Sequence, residues 1–182
     1  HYPWAREKLR VLPNLVEEAP RDISLPAHLN VPARFWLAVG TREPRKNIPW
    51  FVTQWAQARQ TNAAVPDLVL VGERNDIPYK QRQLPGLHFH HDLQDQELYA
   101  LYRRTERLWQ PSFAEGFGLP IIEALSVGTA IAVARGSALD EIAPTDSPRF
   151  APDDGPALIK LMHELAIAPK HDRQQAIIHA RR

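Results

Sequence analysis

Short apolar runs, each followed by glycine or a polar turn, alternate along the chain with longer segments whose apolar positions recur at helical spacing. The runs occupy residues 35–39, 67–71, 87–90, 107–110 and 129–134. The first two are almost wholly apolar and end directly at Gly40 and Gly72. Continuous apolar runs of this length are typical of parallel strands that are covered on both faces. The pattern therefore predicts the strands of one buried sheet.

Helical periodicity fills most of the segments between and after the runs. Predicted helices cover residues 48–60, 96–104, 119–127, 157–167 and 171–182, with a shorter turn of helix around 137–142. Pro49 lies in the first turn of the first helix, where its missing amide hydrogen is harmless. Asp95 is placed to cap the second helix, and Gly128 follows the third, where left-handed backbone is favoured.

Strands that alternate with helices imply right-handed crossovers and a parallel sheet between two helical layers. The sequence therefore predicts an α/β fold, a Rossmann-like doubly wound parallel sheet with helices on both faces. Ligands of such sheets bind beyond the carboxyl ends of the strands. Chemistry is expected in the turns after Val39, Val71, His90 and Gln110.

The 182 residues suffice for one well-buried core and are too few for two ordinary domains with a cleft between them. Residues 1–32 are rich in proline and short apolar runs, and we expect them to form an N-terminal segment that links domains. Residues 33–182 form the expected folded domain. The chain opens at His1 without an initiator methionine, so we expect it to be an excerpt of a longer protein.

Charge and composition exclude several kinds of function. The formal net charge is +1 and no block of lysine and arginine stands alone, so nonspecific nucleic-acid binding is not expected. The absence of cysteine excludes disulfides, thiolate zinc sites and thiol nucleophiles, and it fits a reducing cytoplasm. No apolar run approaches the roughly 20 residues that a spanning helix needs. We therefore expect a soluble, cytoplasmic domain whose ligand site is local.

Three cations, Arg42, Arg45 and Lys46, lie close together at the turn after the first strand. Guanidinium groups offer a planar fork of donors and an ammonium offers a compact charge, and both suit phosphate oxygens. The helix that follows adds the positive end of its dipole. The turn is a candidate diphosphate site, although charge patterning alone favours a solvated basic turn.

Two carboxylates, Glu115 and Glu123, flank a glycine-containing turn after the fourth strand. Gly116 and Gly118 allow the backbone to approach a ligand closely, and the helix predicted from Leu119 directs free amides toward an anion. Carboxylates accept hydrogen bonds and so suit sugar or ribose hydroxyls. For an isolated pair of glycines, the alternative is a tight turn beside a surface helix.

The complete string around this turn is more specific than its parts. It reads Pro-Ser-x-x-Glu-Gly-Phe-Gly-Leu-Pro-x-x-Glu-Ala-x-x-x-Gly-Thr, and it is preceded by Gly-x-x-x-Pro-x-Lys-Asn and Leu-Val-Leu-Val-Gly. With these strings, residues 11–154 closely resemble the C-terminal, donor-binding domain of retaining glycosyltransferase family 4, which has the GT-B fold.

The resemblance implies a role for each charged residue that matches the family pattern. Glu115 would contact the donor sugar and, together with Lys46, serve as a catalytic residue. Glu123 would bind the ribose hydroxyls of a nucleoside diphosphate sugar. Arg42 or Arg45 would help to hold the diphosphate.

The resemblance also implies contacts through the backbone and to the nucleobase. Amides around Phe117, Gly118 and Leu119 would hold the sugar and the diphosphate. Leu93 and Asp95 would contact the base. Neither a cofactor nor a metal is expected, because fixed cations and a helix terminus can neutralise the same charge.

The chain departs from the most frequent family pattern at four positions. Thr41 stands where arginine is usual, which leaves open whether Arg42 reaches the phosphates. His91 replaces glycine, Ala130 replaces proline, and Asp140 replaces the proline before a further family-matched acidic residue, Glu141. None of these changes removes a candidate carboxylate or the lysine.

His88, His90 and His91 raise the alternative of a metal site, since alternate strand residues share a face. No carboxylate is spaced to complete such a site, so hydrogen-bonded histidines are expected instead. Trp36 and Trp55 fall on inward-facing positions, and we expect both to pack in the core and not against a sugar.

The function that the resemblance implies is retaining transfer of a glycosyl unit from a nucleoside diphosphate sugar to a saccharide or lipid-linked hydroxyl acceptor. GDP-mannose is the favoured donor, and polysaccharide or glycolipid synthesis is the expected setting, with possible attachment to the inner face of the membrane through the missing half. The acceptor domain lies outside this chain, so the isolated domain should be nearly inactive. The alternatives are a noncatalytic nucleotide-sugar-binding module and an enzyme that resembles nucleotide-sugar epimerases.

Overall fold

A computed structural model of the chain describes residues 19–20, 23–168 and 173–180. Most of the linking segment predicted over residues 1–32 lies outside these residues, and so do both ends of the helix predicted over 171–182. The described part of that helix spans Arg173–Ala180. No helix in the described ranges has the length and apolar content needed to cross a membrane.

In the described part of the chain, six parallel strands form one sheet. They are β1 (Phe35–Val39), β2 (Asp67–Val71), β3 (Leu87–His90), β4 (Arg107–Gln110), β5 (Ile131–Ala134) and β6 (Arg149–Phe150). Their order is β3-β2-β1-β4-β5-β6. The predicted strands are confirmed, with β5 starting at Ile131 and not at residue 129. The sequence does not predict β6, because a strand of two residues is too short to show a pattern.

Helices connect and cover the strands. They are α1 (Ile48–Thr61), α2 (Asp95–Arg104), α3 (Leu119–Ser126), α4 (Leu139–Ile142), α5 (Gly155–Ile167) and α6 (Arg173–Ala180). The prediction that Asp95 caps α2 is wrong, because Gln94 is the N-cap and Asp95 is already helical. Gln94 is the N-cap because its backbone amide donates to Oε2 of Glu97 at 2.8 Å, which is one half of a capping box.

The helices pack in two layers, α1 and α5 on one face of the sheet and α2, α3, α4 and α6 on the other. Trp36 and Trp55 are fully buried in the core of the first layer, as predicted. Burial of apolar side chains on both faces is what makes the strands continuously apolar. The α/β doubly wound fold is therefore confirmed.

The centre of the sheet contains the topological switch point. β1 and β4 are neighbours, yet β1 leads into α1 on one face and β4 leads into α3 on the other. The two connections diverge at the carboxyl ends of these strands and leave a crevice between them, which is the usual ligand position in open α/β sheets. Lys46 and Glu115 lie in these two connections.

Candidate functional site

The turn after β1 brings Lys46 back across the end of that strand. Gly40 has a φ of +89°, and a Cβ there would lie 3.4 Å from Cε of Lys46, so the lysine side chain passes close to the glycine. A short 3-10 turn covers Pro44–Lys46, and Asn47 has left-handed backbone with a φ of 57°. The Asn47 side chain donates to the carbonyl oxygen of Pro152 at 2.8 Å. These contacts orient the lysine toward the crevice.

Glu115 receives four hydrogen bonds at the end of β4. Lys46 Nζ and Ser112 Oγ each donate to Oε1 at 2.7 Å. Gln110 Nε2 donates to the same oxygen at 2.8 Å, and Arg45 donates to Oε2 at 2.7 Å. The Glu115 side chain is 5% exposed and that of Lys46 is 11% exposed. The structure thus joins the two predicted catalytic residues as a largely buried ion pair.

The surroundings of Glu115 determine its charge. Burial alone would raise its pKa, but hydrogen bonds from Lys46, Ser112 and Arg45 outweigh burial, so the pKa of Glu115 lies below its ordinary value. The carboxylate is therefore ionised at neutral pH. It compensates the positive charge of Lys46 in a place where an unpaired charge would be costly.

The two arginines of the basic turn have different surroundings. Arg45 donates through Nε and a terminal nitrogen to Glu43, and its other terminal nitrogen contacts Glu115 and the carbonyl oxygen of Ala114. These contacts use four of the five N–H groups that a guanidinium has. Arg42 is exposed, and it makes no hydrogen bond or ion pair within the described residues. Arg45 lies at the carboxylate and Arg42 does not contact it.

Thr41 occupies the position where arginine is usual in the resembled family. It is buried, and its hydroxyl donates to Oδ2 of Asp76 at 2.9 Å. A Cβ on Gly72 would lie 2.2 Å from the Thr41 hydroxyl oxygen, so only glycine at the end of β2 leaves room for it. Thr41 therefore joins the turns after β1 and β2 and faces away from solvent.

The turn from Glu115 to α3 contains backbone donors that lack a protein partner. Within the described residues, the amides of Phe117, Gly118 and Leu119 donate to no protein acceptor. Gly118 has a φ of +86°, and a Cβ there would lie 2.8 Å from Ile142 and 2.9 Å from Leu139. The start of α3 thus sits tightly on α4, and its first amides have no protein acceptor within the described residues.

Glu123 lies one turn into α3 and is half-buried. Tyr102, which is fully buried in α2, donates from its hydroxyl to Oε2 of Glu123 at 2.9 Å. Burial raises the pKa of Glu123, the hydrogen bond from Tyr102 lowers it, and the negative charge of Asp95 raises it further, so the net pKa is raised. Leu93 packs at the margin of the same helical layer. The two predicted base contacts thus lie on the Glu123 side of the crevice.

Two of the three histidines near β3, His88 and His91, contact neighbouring carboxylates, whereas the buried Nε2 of His90 has no hydrogen-bond partner within the described residues. His88 contacts Asp67 at 2.8 Å, and His91 contacts Asp92 at 3.0 Å. Within the described residues, Glu73, His91 and Asp92 bring ligand-type atoms within 4.8 Å of one another, and all three are exposed. Exposed groups of this kind are common in proteins without bound metal, and we assign no site to them.

A cavity of about 610 Å³ lies at the opposite edge of the sheet, beside the amino ends of β1, β4 and β5. Its arginines donate to carbonyl oxygens: Arg34 to Ala166 at 3.3 Å and Arg107 to Ile131 at 2.7 Å. Burial lowers the pKa of Arg107 to about 10. Arg34 also donates to both carboxylate oxygens of Glu106, at 2.7 and 3.1 Å, so both arginines have protein partners and call for no ligand. We therefore place the candidate site in the crevice.

Sequence reasoning does not assign a role to three side chains of the site. Gln110 and Ser112 hold Glu115, and Tyr102 holds Glu123. Gln110 gives a usable signal, since a polar residue ends an otherwise buried strand. Tyr102 gives none, because an aromatic residue on the inner face of a helix predicts packing alone.

Comparison with known proteins places the chain in a family. The profile of the family described as glycosyl transferases group 1 matches residues 33–166. The chain is 29% identical over 130 residues to the O-antigen chain mannosyltransferase RfbU of Salmonella typhimurium, which covers 66% of this chain and 35% of that protein. The chain thus spans about a third of the length of this relative.

Solved structures share the fold. Sucrose-phosphate synthase from Thermosynechococcus elongatus superposes with a TM-score of 0.61 at 26% identity, covering 85% of this chain and 41% of that one. A UDP-forming α,α-trehalose-phosphate synthase from Burkholderia xenovorans gives a TM-score of 0.66 at 12% identity, over 81% of this chain and 40% of that one. The sheet and its helices are therefore those of one half of a two-domain GT-B architecture.

Proposed function

Because this chain belongs to the glycosyl transferases group 1 family, we propose that it is the donor-binding half of a retaining family 4 glycosyltransferase. In this proposal the crevice at the switch point binds a nucleoside diphosphate sugar, and the glycosyl unit passes to a hydroxyl acceptor. The observation that carries the proposal is the contact of Lys46 with Glu115 beside the unpaired amides of residues 117–119. The cation and the amides suit a diphosphate, and the carboxylate suits the hydroxyl groups of a sugar.

Lys46 would stabilise the departing diphosphate. An ammonium has three N–H donors, and Glu115 accepts one of them, so two remain for phosphate oxygens. The amides of Phe117, Gly118 and Leu119 would add donors that need no rearrangement during the reaction. Arg42 and Arg45 remain candidates for the outer phosphate oxygens. No metal is needed in this proposal, because the side-chain cations and the amides at the start of α3 neutralise the negative charge of the diphosphate.

Glu115 and Glu123 would bind the hydroxyl groups at the two ends of the donor. Glu115, ionised and held by four donors, would accept hydrogen bonds from the sugar and orient it. Glu123 would accept hydrogen bonds from the ribose. Leu93 and Asp95 would contact the base, since they lie on the Glu123 side of the crevice.

We infer GDP-mannose as the donor and a saccharide or lipid-linked acceptor. The support for mannose is that RfbU is named as an O-antigen chain mannosyltransferase and that the other curated relatives found are also named mannosyltransferases. Such synthesis would take place in the cytoplasm, at the inner face of the membrane.

Transfer would need a second domain that supplies the acceptor site and closes over the donor. The relatives are about three times as long as the segment matched here, or longer. The 182-residue chain by itself should therefore bind a donor and transfer almost nothing.

Isothermal titration calorimetry with GDP, UDP and ADP tests the proposal. One of the three nucleotides should bind, and Lys46→Ala and Glu123→Ala should each weaken that binding. Glu164→Ala, which removes an exposed carboxylate from α5, is the matched control and should leave binding unchanged. If none of the three nucleotides binds to the folded chain, the proposal is wrong.

The two alternative functions predict different products. A noncatalytic nucleotide-sugar-binding module would bind the donor equally well but give no glycoside even when joined to its second domain. An epimerase-like enzyme would release an altered sugar nucleotide. Product analysis of the full-length protein distinguishes these results from a glycoside bond.

A further inference from the structure

Glu123 is held by a neighbouring helix in a way that the family assignment does not predict. Tyr102 donates to Oε2 of Glu123 at 2.9 Å, and within the described residues Oε1 receives no donor. We propose that Tyr102 is a positioning residue, whose hydroxyl fixes the Glu123 carboxylate so that Oε1 faces the ribose hydroxyls of the donor. This inference rests on the proposed function, because it assumes that a ribose binds at Glu123.

The Tyr102 hydroxyl is not needed to fill space. Tyr102 is fully buried between α2 and α3, and a phenylalanine ring would pack in the same volume. A buried hydroxyl without a partner costs free energy, so its retention requires a fixed acceptor. Burial and the charge of Glu123 raise the pKa of Tyr102 well above its ordinary value. The phenol therefore stays protonated and acts as the donor.

Tyr102 is itself rigidly held, which a positioning role requires. Its ring packs edge-on against Tyr99, with the ring centroids 5.9 Å apart. Its backbone carbonyl accepts from the hydroxyl of Thr129 at 2.5 Å, in the connection between α3 and β5. The hydroxyl therefore cannot follow Glu123 if the carboxylate rotates. A carboxylate with one fixed oxygen has lost most of its rotational freedom before a ligand arrives.

A positioning role for Tyr102 predicts that removing its hydroxyl weakens the contacts to the ribose and not those to the diphosphate. The ribose hydroxyls depend on the direction of Oε1, whereas the diphosphate depends on Lys46 and the backbone amides. Removing the Tyr102 hydroxyl should therefore reduce the preference for a ribose over a dideoxyribose and leave the contribution of the diphosphate intact. A role in packing alone would weaken the binding of both nucleotides equally.

The experiment compares Tyr102→Phe with the unmutated chain, using GDP, UDP and ADP and the dideoxyribose form of each. For the nucleotide that binds, we expect the unmutated chain to prefer the ribose form by at least about tenfold, the usual scale for hydrogen bonds to a charged group. Tyr102→Phe should lower this preference about three- to tenfold. Thermal unfolding of both proteins shows that the variant is folded.

A double-mutant cycle distinguishes positioning from a general disturbance. In the Glu123→Gln background, the added Tyr102→Phe change should no longer alter the ribose preference, because the positioned carboxylate is already absent. An equal loss in both backgrounds overturns the inference. An unchanged preference in Tyr102→Phe, with nucleotide still bound, overturns it as well and leaves the proposed function standing. Absence of nucleotide binding to the unmutated chain instead overturns the proposed function, and the inference with it.

If Tyr102→Phe does not fold, a fluorotyrosine at position 102 keeps both the hydroxyl and the packing. The fluorine atom lies next to the hydroxyl. Its NMR resonance should shift when the ribose nucleotide binds and should not shift with the dideoxyribose form. Equal shifts with both nucleotides overturn the inference.

Discussion

Lys46 and Glu115 are separated by 69 positions in the sequence, and Nζ of the lysine lies 2.7 Å from Oε1 of the carboxylate in the fold. The contact is possible because β1 and β4 are neighbours at the switch point and both turns open into one crevice.

Lys46→Ala should weaken nucleoside diphosphate binding about ten- to a hundredfold, because charge-assisted hydrogen bonds to phosphate contribute about 1.5–3 kcal/mol. Arg42→Ala removes an exposed cation from the same turn and should cost about threefold or less, since solvent screens it. Calorimetry with the binding nucleotide measures both. Equal losses would show that the turn acts through its total charge and not through the lysine.

Glu115→Gln should destabilise the fold at neutral pH by about 3 kcal/mol, because Lys46 loses its largely buried partner. The pKa of Glu115 is lowered in the folded protein, so its stabilisation is present above the pKa of the unfolded chain and is lost as the pH falls through the folded value. The difference between variant and parent should shrink in acid. Chemical denaturation at a series of pH values measures it, and a pH-independent difference would contradict the assignment.

The effect of Glu123→Gln on stability should depend on pH in the opposite direction to that of Glu115→Gln. The pKa of Glu123 is raised, so its contribution is fully present below the pKa of the unfolded chain and is lost as the pH rises through the folded value. Glutamine carries no charge to bury, and the variant should therefore become more stable than the parent as the pH rises, while binding ribonucleotides more weakly. Thermal unfolding from acid to mildly alkaline pH tests this. Glu164→Gln, on an exposed face of α5, is the control for binding and should leave ribonucleotide affinity unchanged.

Gly118→Ala should cost more than about 1 kcal/mol, because the residue has positive φ and the new methyl group would press against Ile142 and Leu139. Gly116→Ala is its matched control. A Cβ on Gly116 would meet no atom within 4 Å, so stability should change by less than about 0.5 kcal/mol. Denaturant unfolding measures both. If Gly116→Ala keeps full stability but weakens nucleotide binding, the open space beside it is where the ligand lies.

Much of this architecture follows from the sequence for a physical reason. Strands such as Phe35–Val39 and Asp67–Val71 are buried on both faces, so their whole length is apolar and their limits are visible in the sequence. Helix limits are less distinct. Gln94 replaces the expected Asp95 as the cap because a local capping box, in which the backbone amide of Gln94 donates to Glu97 three residues later, sets the first residue of the helix.

The site is predicted less completely than the fold. Strings of residues locate Lys46, Glu115 and Glu123, since each belongs to a local pattern. Partners from distant segments leave no local pattern. Tyr102 contacts Glu123 from the neighbouring helix, α2. Arg45 is the arginine that contacts Glu115, because the 3-10 turn directs its side chain there. Such choices depend on packing and not on spacing along the chain.

The four hydrogen bonds to Glu115 have a consequence for the chemistry of glycosyl transfer. The ammonium, the hydroxyl and the amide all donate to Oε1 and the guanidinium donates to Oε2, so Oε2 can still accept from a sugar hydroxyl, while the lowered pKa of the carboxyl group marks it as a weak base. Its nucleophilicity toward an anomeric carbon is correspondingly small. Glu115 is therefore suited to hold a sugar in place while another group forms the new bond, and a covalent glycosyl ester on this side chain is not expected to accumulate.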